Sequence, residues 1–467
     1  MCGTNPFPNR NIYHTFAILS KKVCKFFCLT VRLWCMLHAR TDSLYLSKET
    51  SLKKQQAIPD NTDMIMDHPA CMRKISQLIM VMKREVVPLT TALGRVTATD
   101  LTALLPQPAF RQSLRDGYLV ASGIGEAGSD QIFPITGIIQ AGNVTETVIL
   151  PGQAIRIMTG AMVPKAGNRV IPQEECSKDN DMVRIPAHAL GNLRTHIEEE
   201  GSEMAVGDLV VAAGTVLQPE HIGLLATTGL NEIEVFRRPR VGFFCTGSEL
   251  VEIGSVPLPG QKISSNQHLL AGLVRRFGGE PRFLGTIHDT HAALAQTFAE
   301  LRATECDLVI STGGMGPGKY DLIEQAFLEA GGEVIYNHLD LTPGKNSLCG
   351  LLGEKLFFGL PGPPTAVHAL MNAVVGPALL QIQGVGTLYP MIISACLSQP
   401  ITIRRPGIMQ LRGGILSYSD GRCLVRMAGK HEPPSCYMVI AADRSSYKQD
   451  ELIEVQLTAT PFGPHFS

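Results

Sequence analysis

Short apolar runs that end in glycine turns, each followed by an amphipathic stretch, dominate the second half of the chain. Arg240 to Cys245 runs into Thr246-Gly247-Ser248-Glu249-Leu250, and Asp307 to Ile310 into Ser311-Thr312-Gly313-Gly314-Met315-Gly316-Pro317-Gly318. Leu356 to Phe358 runs into Gly359-Leu360-Pro361-Gly362-Pro363-Pro364. Strand, glycine turn and helix repeated in this order predict a doubly wound α/β domain over 237–386, with its turns collected outside the carboxyl ends of the strands. Backbone N–H groups and helix dipoles at such an edge favour phosphate, so the expected guest is nucleotide-like or pterin-phosphate-like.

The first half reads differently. Ile75, Leu78, Ile79 and Met82 stand at helical spacing, which predicts an amphipathic helix from Ile75. Shorter runs follow: Gly117 to Val120, Ile132 to Ile139, Val148 to Leu150, Ala154 to Met158, Arg169 to Pro172 and Met182 to Ile185. Separated by Gly, Pro, Asn and Asp, they predict a small β domain over 108–189, inserted into a domain made of 66–107 and 190–236. Pro219 to Gly229 reads as a helix with proline at its start. Beyond Gly386, strand-like runs at Met391 to Cys396, Met409 to Tyr418, Arg422 to Arg426 and Ile453 to Leu457 predict a small barrel or sandwich over 387–467.

Composition narrows this little. With 467 residues, two to four domains are expected; 45% apolar and 18% charged residues describe a globular protein. A net charge of −1 argues against a whole-protein attraction to nucleic acid or membrane. The 12 cysteines form no CxxC pair and read as buried, reduced thiols suited to the cytoplasm. The first 65 residues stand apart. Lys21, Lys22, Lys25 and Arg32 interrupt the apolar stretch from Tyr13 to Leu37, so no membrane span is expected there. The segment reads as an extension that is poorly ordered or upstream of the biological start at Met64 or Met66, the alternative being a membrane-surface anchor.

Three further motifs join the glycine turns. They are Pro108-Ala109-Phe110-Arg111-Gln112-Ser113-Leu114-Arg115-Asp116-Gly117-Tyr118, Pro151-Gly152-Gln153-Ala154-Ile155-Arg156-Ile157-Met158-Thr159-Gly160-Ala161 and Gln173-Glu174-Glu175. With Ser265-Asn266 and Pro343-Gly344-Lys345, this ordered set resembles the molybdopterin molybdenumtransferases, the MoeA family that includes the E domain of gephyrin. The resemblance implies an elongated N-terminal domain, an inserted β domain, a MogA-like α/β domain, a C-terminal β barrel and a homodimer. It also implies the reaction: adenylylated molybdopterin (molybdopterin-AMP) releases AMP in a Mg²⁺-dependent step while molybdate is placed on the dithiolene. A molybdopterin adenylyltransferase and molybdoenzymes would be its partners.

Carried over residue by residue, the resemblance makes Asp116, Glu174, Asp321 and Lys345 catalytic candidates, with Asp321 also the metal candidate. Ser113, Thr159, Gly160, Thr246, Gly247, Asn266, Thr312, Gly313, Gly314, Lys319, Pro361, Gly362 and Pro364 are the ligand-binding candidates. Asp116 and Glu174 are expected to reach the cleft from the β domain of a second subunit. Plainer roles stay open for several: a helix N-cap for Asp321, a turn former for Asp116, a solvated charge for Lys345 and a helix start for the prolines.

The chain departs from the family pattern where acids are usual. Ser248 stands in the Thr-Gly-Asp-Glu-Leu turn, Ser264 before Ser-Asn, and Asn168 in the Ala-Asp-Ala-Val segment; Glu198, Glu199 and Glu200 replace basic residues. Lys319 enters the second turn, Thr342 and Asn346 flank Pro343-Gly344-Lys345, and Pro363 replaces asparagine in the third. Fewer carboxylates weaken a Mg²⁺ site. Two functions compete on that basis: a working transferase, and a degenerate paralogue that binds, stores or delivers the pterin without turnover. A gephyrin-like scaffold is a third reading. Whether molybdenum or tungsten is loaded stays open.

Overall fold

The computed structural model describes residues 64–121, 129–143, 148–315, 322–386 and 391–458. The expectation for residues 1–63 lies outside the described residues. Met64 and Ile65 lie within the fold: Ile65–Met66 pairs in parallel with His338–Leu339, and the Met64 amide donates to Asn337 Oδ1 at 2.8 Å.

The α/β domain is built on six strands. In chain order its elements are β1 (Arg240–Thr246), α1 (Ser265–Arg276), β2 (Glu280–Ile287), α2 (His291–Ala303), β3 (Leu308–Thr312), α3 (Leu322–Glu329), β4 (Gly332–Tyr336), β5 (Leu348–Leu352), β6 (Lys355–Leu360) and α4 (Pro364–Ile382). The strand order is β2-β1-β3-β6-β5-β4. The first four run parallel, and β5 and β4 close the sheet antiparallel. Paired phenylalanines show why both faces are covered. Phe244 and Phe357 pack on one side with Phe298 and Phe327, and Phe243 and Phe358 on the other with α1 and α4. The Phe298 and Phe327 rings sit 5.2 and 4.9 Å from Phe357. A parallel strand buried on both faces needs this unbroken apolar run.

Helix α4 is the one described helix long and apolar enough to cross a membrane, and 83% of it is buried in the protein core. Its middle, Met371–Val375, is π-helical. Freed carbonyls there find partners elsewhere: Gln456 Nε2 donates to Asn372 O at 3.0 Å, and His68 Nε2 lies 2.9 Å from Ala373 O. One helix thus joins the first described helix, the α/β sheet and the C-terminal strands.

That helix spans His68–Leu78, earlier than the apolar spacing indicates. Asp67 caps it, accepting from Ala70 N at 2.6 Å, and Pro69 lies in its first turn. These polar start signals outweigh the periodicity of Ile79 and Met82, which fall beyond its end. In the first half, Arg84–Pro88, Leu101–Thr102 and Gln112–Ser113 pair with Glu232–Phe236, Leu209–Val211 and Ile197–Glu198. Between them lies a six-stranded sheet ordered Gly167–Pro172, Gly117–Ala121, Ala154–Ile157, Gln131–Ile139, Met182–Ile185, Ser177–Asp179. Val148 to Leu150 forms no strand.

The C-terminal region is a closed barrel. Met409–Ser419 pairs with Arg422–Met427, then Ile392–Leu397, Leu452–Leu457 and Cys436–Ile440 follow, and the last pairs back with the first. Leu341–Thr342 extends it in parallel alongside Met409–Gln410, which fixes the loop that follows.

Candidate active site

The carboxyl ends of β1, β3 and β6 are level, since Cys245 pairs with Thr312 and Thr312 with Leu360. Their three glycine turns therefore open side by side into a cleft of about 810 Å³. Thr246, Asn266, Thr312, Gly313, Gly314, Lys345, Pro361, Gly362 and Pro364, all candidates from the sequence, line it.

Glycine is required at the centre. Gly313 has φ +96°, and a Cβ there would lie 2.5 Å from Thr246 O. Gly344 has φ +129°, with Leu370 Cδ2 at 2.7 Å from a Cβ. Asn266, on the first turn of α1, donates to Thr312 Oγ1 and to Gly362 O, each at 2.8 Å. Thr312 in turn donates to Pro361 O at 3.2 Å.

Two expectations need correction. Gly247 does not line the cleft, because its N–H turns back to Ile287 O at 3.3 Å. Gly313 lines it, but its N–H is bonded to Leu360 O at 3.0 Å. Gly314 and Glu249 line the cleft with N–H groups that have no acceptor among the described residues. Lys319 and Asp321 lie outside the described residues.

The structure adds lining residues that were not among the site candidates: Glu249, Lys262, Ser264, Asp289 and Pro343. Asp289 follows β2, the one parallel strand without a glycine turn. An acid just beyond a parallel strand was the signal that could have found it. Among the described residues no three His, Cys, Asp or Glu side chains cluster as a metal site, and Glu249 and Asp289 are the acids that line the cleft. Cys245, also in its wall, is buried and its thiol is pushed up by that burial, which keeps it protonated.

The remaining candidates gather in the turns at one end of the inserted sheet, outside the cleft lining. Asp116 Oδ1 accepts from both the N and Oγ1 of Thr159, each at 2.7 Å. Gly160 N donates to Ser113 O at 2.8 Å, and Ser113 Oγ to Arg115 O at 2.7 Å. Gln173 N donates to Asp116 O at 3.0 Å, which sets the short turn bearing the exposed Glu174 beside them. The bonds from Thr159, backbone first, hold the Asp116 carboxyl below its ordinary range. Two of the three acids that replace basic residues are also tied down: Glu199 pairs with Arg111 Nε at 2.9 Å, and Glu198 accepts from Gln112 Nε2 at 2.8 Å.

A doubly wound sheet whose turns, two lysines and two carboxylates meet in one cleft has the form of a small-molecule site at the carboxyl edge of the strands. Residues 66–229 match the family profile "MoeA N-terminal region (domain I and II)", and 242–381 match "Probable molybdopterin binding domain". A molybdopterin molybdenumtransferase of a Nostoc species is 32% identical over 306 residues, covering 64% of this chain and 70% of that protein. One from Staphylococcus epidermidis is 31% identical over 325 residues, covering 68% and 76%. The crystal structure of the molybdopterin biosynthesis MoeA protein of Pyrococcus horikoshii superposes with a TM-score of 0.69 at 26% identity, covering 84% of this chain and 100% of that one. The chain belongs to the molybdopterin molybdenumtransferase family.

Proposed function

We propose that this protein acts in molybdenum cofactor biosynthesis as a molybdopterin molybdenumtransferase: it takes adenylylated molybdopterin, releases AMP and transfers molybdate to the dithiolene. The observation that carries this is the cleft itself. Its glycine turns are kept open by Gly313 and Gly344, and Lys262, Lys345, Glu249 and Asp289 all reach it. The N–H groups of Gly314 and Glu249, without an acceptor among the described residues, suit phosphate oxygens, and Lys345, exposed at the cleft, supplies a mobile positive charge.

Mg²⁺ fits this donor set, because it uses one or two carboxylates together with substrate phosphates and keeps water for the rest. Glu249 and Asp289 would hold it, and its chemistry there is neutralisation of phosphate charge. Lys262 and Lys345 orient the anionic substrate, and the turns exclude water from one side of it.

Asp116 and Glu174 complete the reading as a homodimer, in which these acids of a second copy face the cleft. A molybdopterin adenylyltransferase would supply the substrate, and molybdoenzymes would take the product. The described cysteines, all free thiols, suit a cytoplasmic setting.

The test is AMP release from adenylylated molybdopterin by the full chain, with molybdate present and Mg²⁺ varied. Mg²⁺-dependent release that is lost in Asp289→Asn supports the reading. Tight binding without release would make the protein a pterin carrier.

A further inference from the structure

The inserted sheet hangs on a ribbon of two strands. The chain enters it through residues 107–113 and returns through 197–204: Gln112–Ser113 pairs antiparallel with Ile197–Glu198, and Gln107 bridges Met204. Between those points Gly201 N donates to Pro108 O at 3.0 Å, and Glu203 N and Met204 N donate to Gln107 O at 2.9 and 3.0 Å. Two strands by themselves hold together weakly in water, so the direction in which the ribbon points depends on what its side chains grip. The returning strand makes this harder, because Glu198, Glu199 and Glu200 follow one another and like charges repel.

Arg111, on the entering strand, answers that charge. Its Nε–H is shared between the two carboxylate oxygens of Glu199, at 2.9 and 3.0 Å. Its Nη1 donates to Gly167 O at 2.6 Å and to Pro164 O at 3.4 Å, both in the inserted domain. The backbone adds a further tie, from Val163 N to Arg111 O at 2.8 Å. Gly167 is a firm anchor: it is buried, and a Cβ there would lie 2.7 Å from Leu119 Cδ1. One guanidinium therefore joins the entering strand, the returning strand and the sheet they carry. A planar fork of N–H donors can face a carboxylate and a carbonyl at once, which a lysine ammonium does poorly.

The ribbon ends where the candidate acids begin. Ser113 N donates to Ala161 O at 3.0 Å and Gly160 N to Ser113 O at 2.8 Å, and Gln173 N, beside Glu174, donates to Asp116 O at 3.0 Å. A tilt of the ribbon thus moves Asp116 and Glu174 together with the sheet.

We propose that Arg111 is the positioning residue that fixes the inserted domain on its ribbon, and that Glu199 is the carboxylate that receives it. The acidic run that stands where the family has basic residues then supplies one half of a clamp. This rests on the reading that brings Asp116 and Glu174 to the cleft of a second copy, since their reach is what the clamp sets.

The experiment follows hydrogen exchange by mass spectrometry in the full chain and in Arg111→Met, Arg111→Lys and Glu199→Gln, together with kcat and KM for AMP release from adenylylated molybdopterin. In Arg111→Met, exchange over 107–113 and 197–204 quickens about ten-fold while that over β3 stays within about two-fold. Its kcat falls about ten-fold with KM within about two-fold. Arg111→Lys lies between it and wild type. Glu199→Gln loosens the ribbon less, and raising the salt brings wild type to that level without moving the variant. Unchanged exchange over the ribbon in Arg111→Met overturns the clamp, and so does an equal rise over β3, which would make Arg111 a general support of the fold. A loosened ribbon with unchanged kcat overturns the positioning role and leaves the functional reading standing. Wild-type protein that releases no AMP overturns the functional reading and the positioning role with it, while exchange over the ribbon still decides the clamp.

Discussion

Asp116 holds Thr159 twice, through the backbone N–H and the hydroxyl, each 2.7 Å from the same carboxylate oxygen. Two donors on one charged acceptor keep the carboxyl ionised below its ordinary value of 3.8. The folded-state pKa is therefore depressed. The stability this gives is present above the ordinary value and is lost as pH falls through the lower folded value. Asp116→Asn keeps an acceptor oxygen but cannot titrate, so its stability curve should be flatter than wild type below pH 3.8. Acid titration of both proteins by circular dichroism checks this, and parallel acid limbs would remove the role.

Gly313 sits where no other residue fits. With φ +96° and Thr246 O at 2.5 Å from a Cβ, Gly313→Ala forces β1 and β3 apart at their ends. The expected cost is about 1–3 kcal/mol, read from the midpoint of urea unfolding, together with loss of phosphate binding. Wild-type stability and binding would show that the turn has room.

Lys345 tests the charge of the cleft. It is exposed, so its field is screened, and Lys345→Met should weaken pyrophosphate binding by about five-fold at low ionic strength and less in high salt. A salt-independent loss would point to packing instead.

His368 joins α4 to the barrel, its Nδ1 lying 2.6 Å from the Tyr437 hydroxyl. Burial, with Arg276 nearby, holds the imidazole below its ordinary value of 6.5, so the folded state favours the neutral ring. Stability is then full above pH 6.5 and declines as pH falls through the lower folded value. His368→Gln should reduce the slope of stability against pH below 6.5. Tyr437→Phe should cost about 1 kcal/mol for the lost hydrogen bond. Thermal melts at a series of pH values read both.

The α/β domain was legible because its turns are written in glycine, and glycine at φ +96° or +129° has a single conformational reason. Cys436–Ile440 escaped notice for the opposite reason. Its run Cys-Tyr-Met-Val-Ile shows no alternation, since Cys436, Met438 and Ile440 fill the barrel while Tyr437 packs into the core of the α/β domain. Two apolar surroundings leave no polar side to read. In the cleft, residues on glycine turns were found. Asp289 and Lys262 were not, because their place follows from strand order and from the loop after β1, neither of which local spacing contains. The substituted acids pointed toward a carrier. Glu249 and Asp289, brought to one cleft by β1 and β2, leave two carboxylates in its lining where Ser248 and Ser264 offer none.

The most direct measurement is a single turnover of adenylylated molybdopterin with the full chain and molybdate, counting AMP released and molybdenum bound to the pterin product. The account predicts one molybdenum per AMP, with both lost when Glu249 and Asp289 are neutralised together. Bound pterin that keeps its adenylyl group, or AMP released with no molybdenum on the pterin, would contradict it.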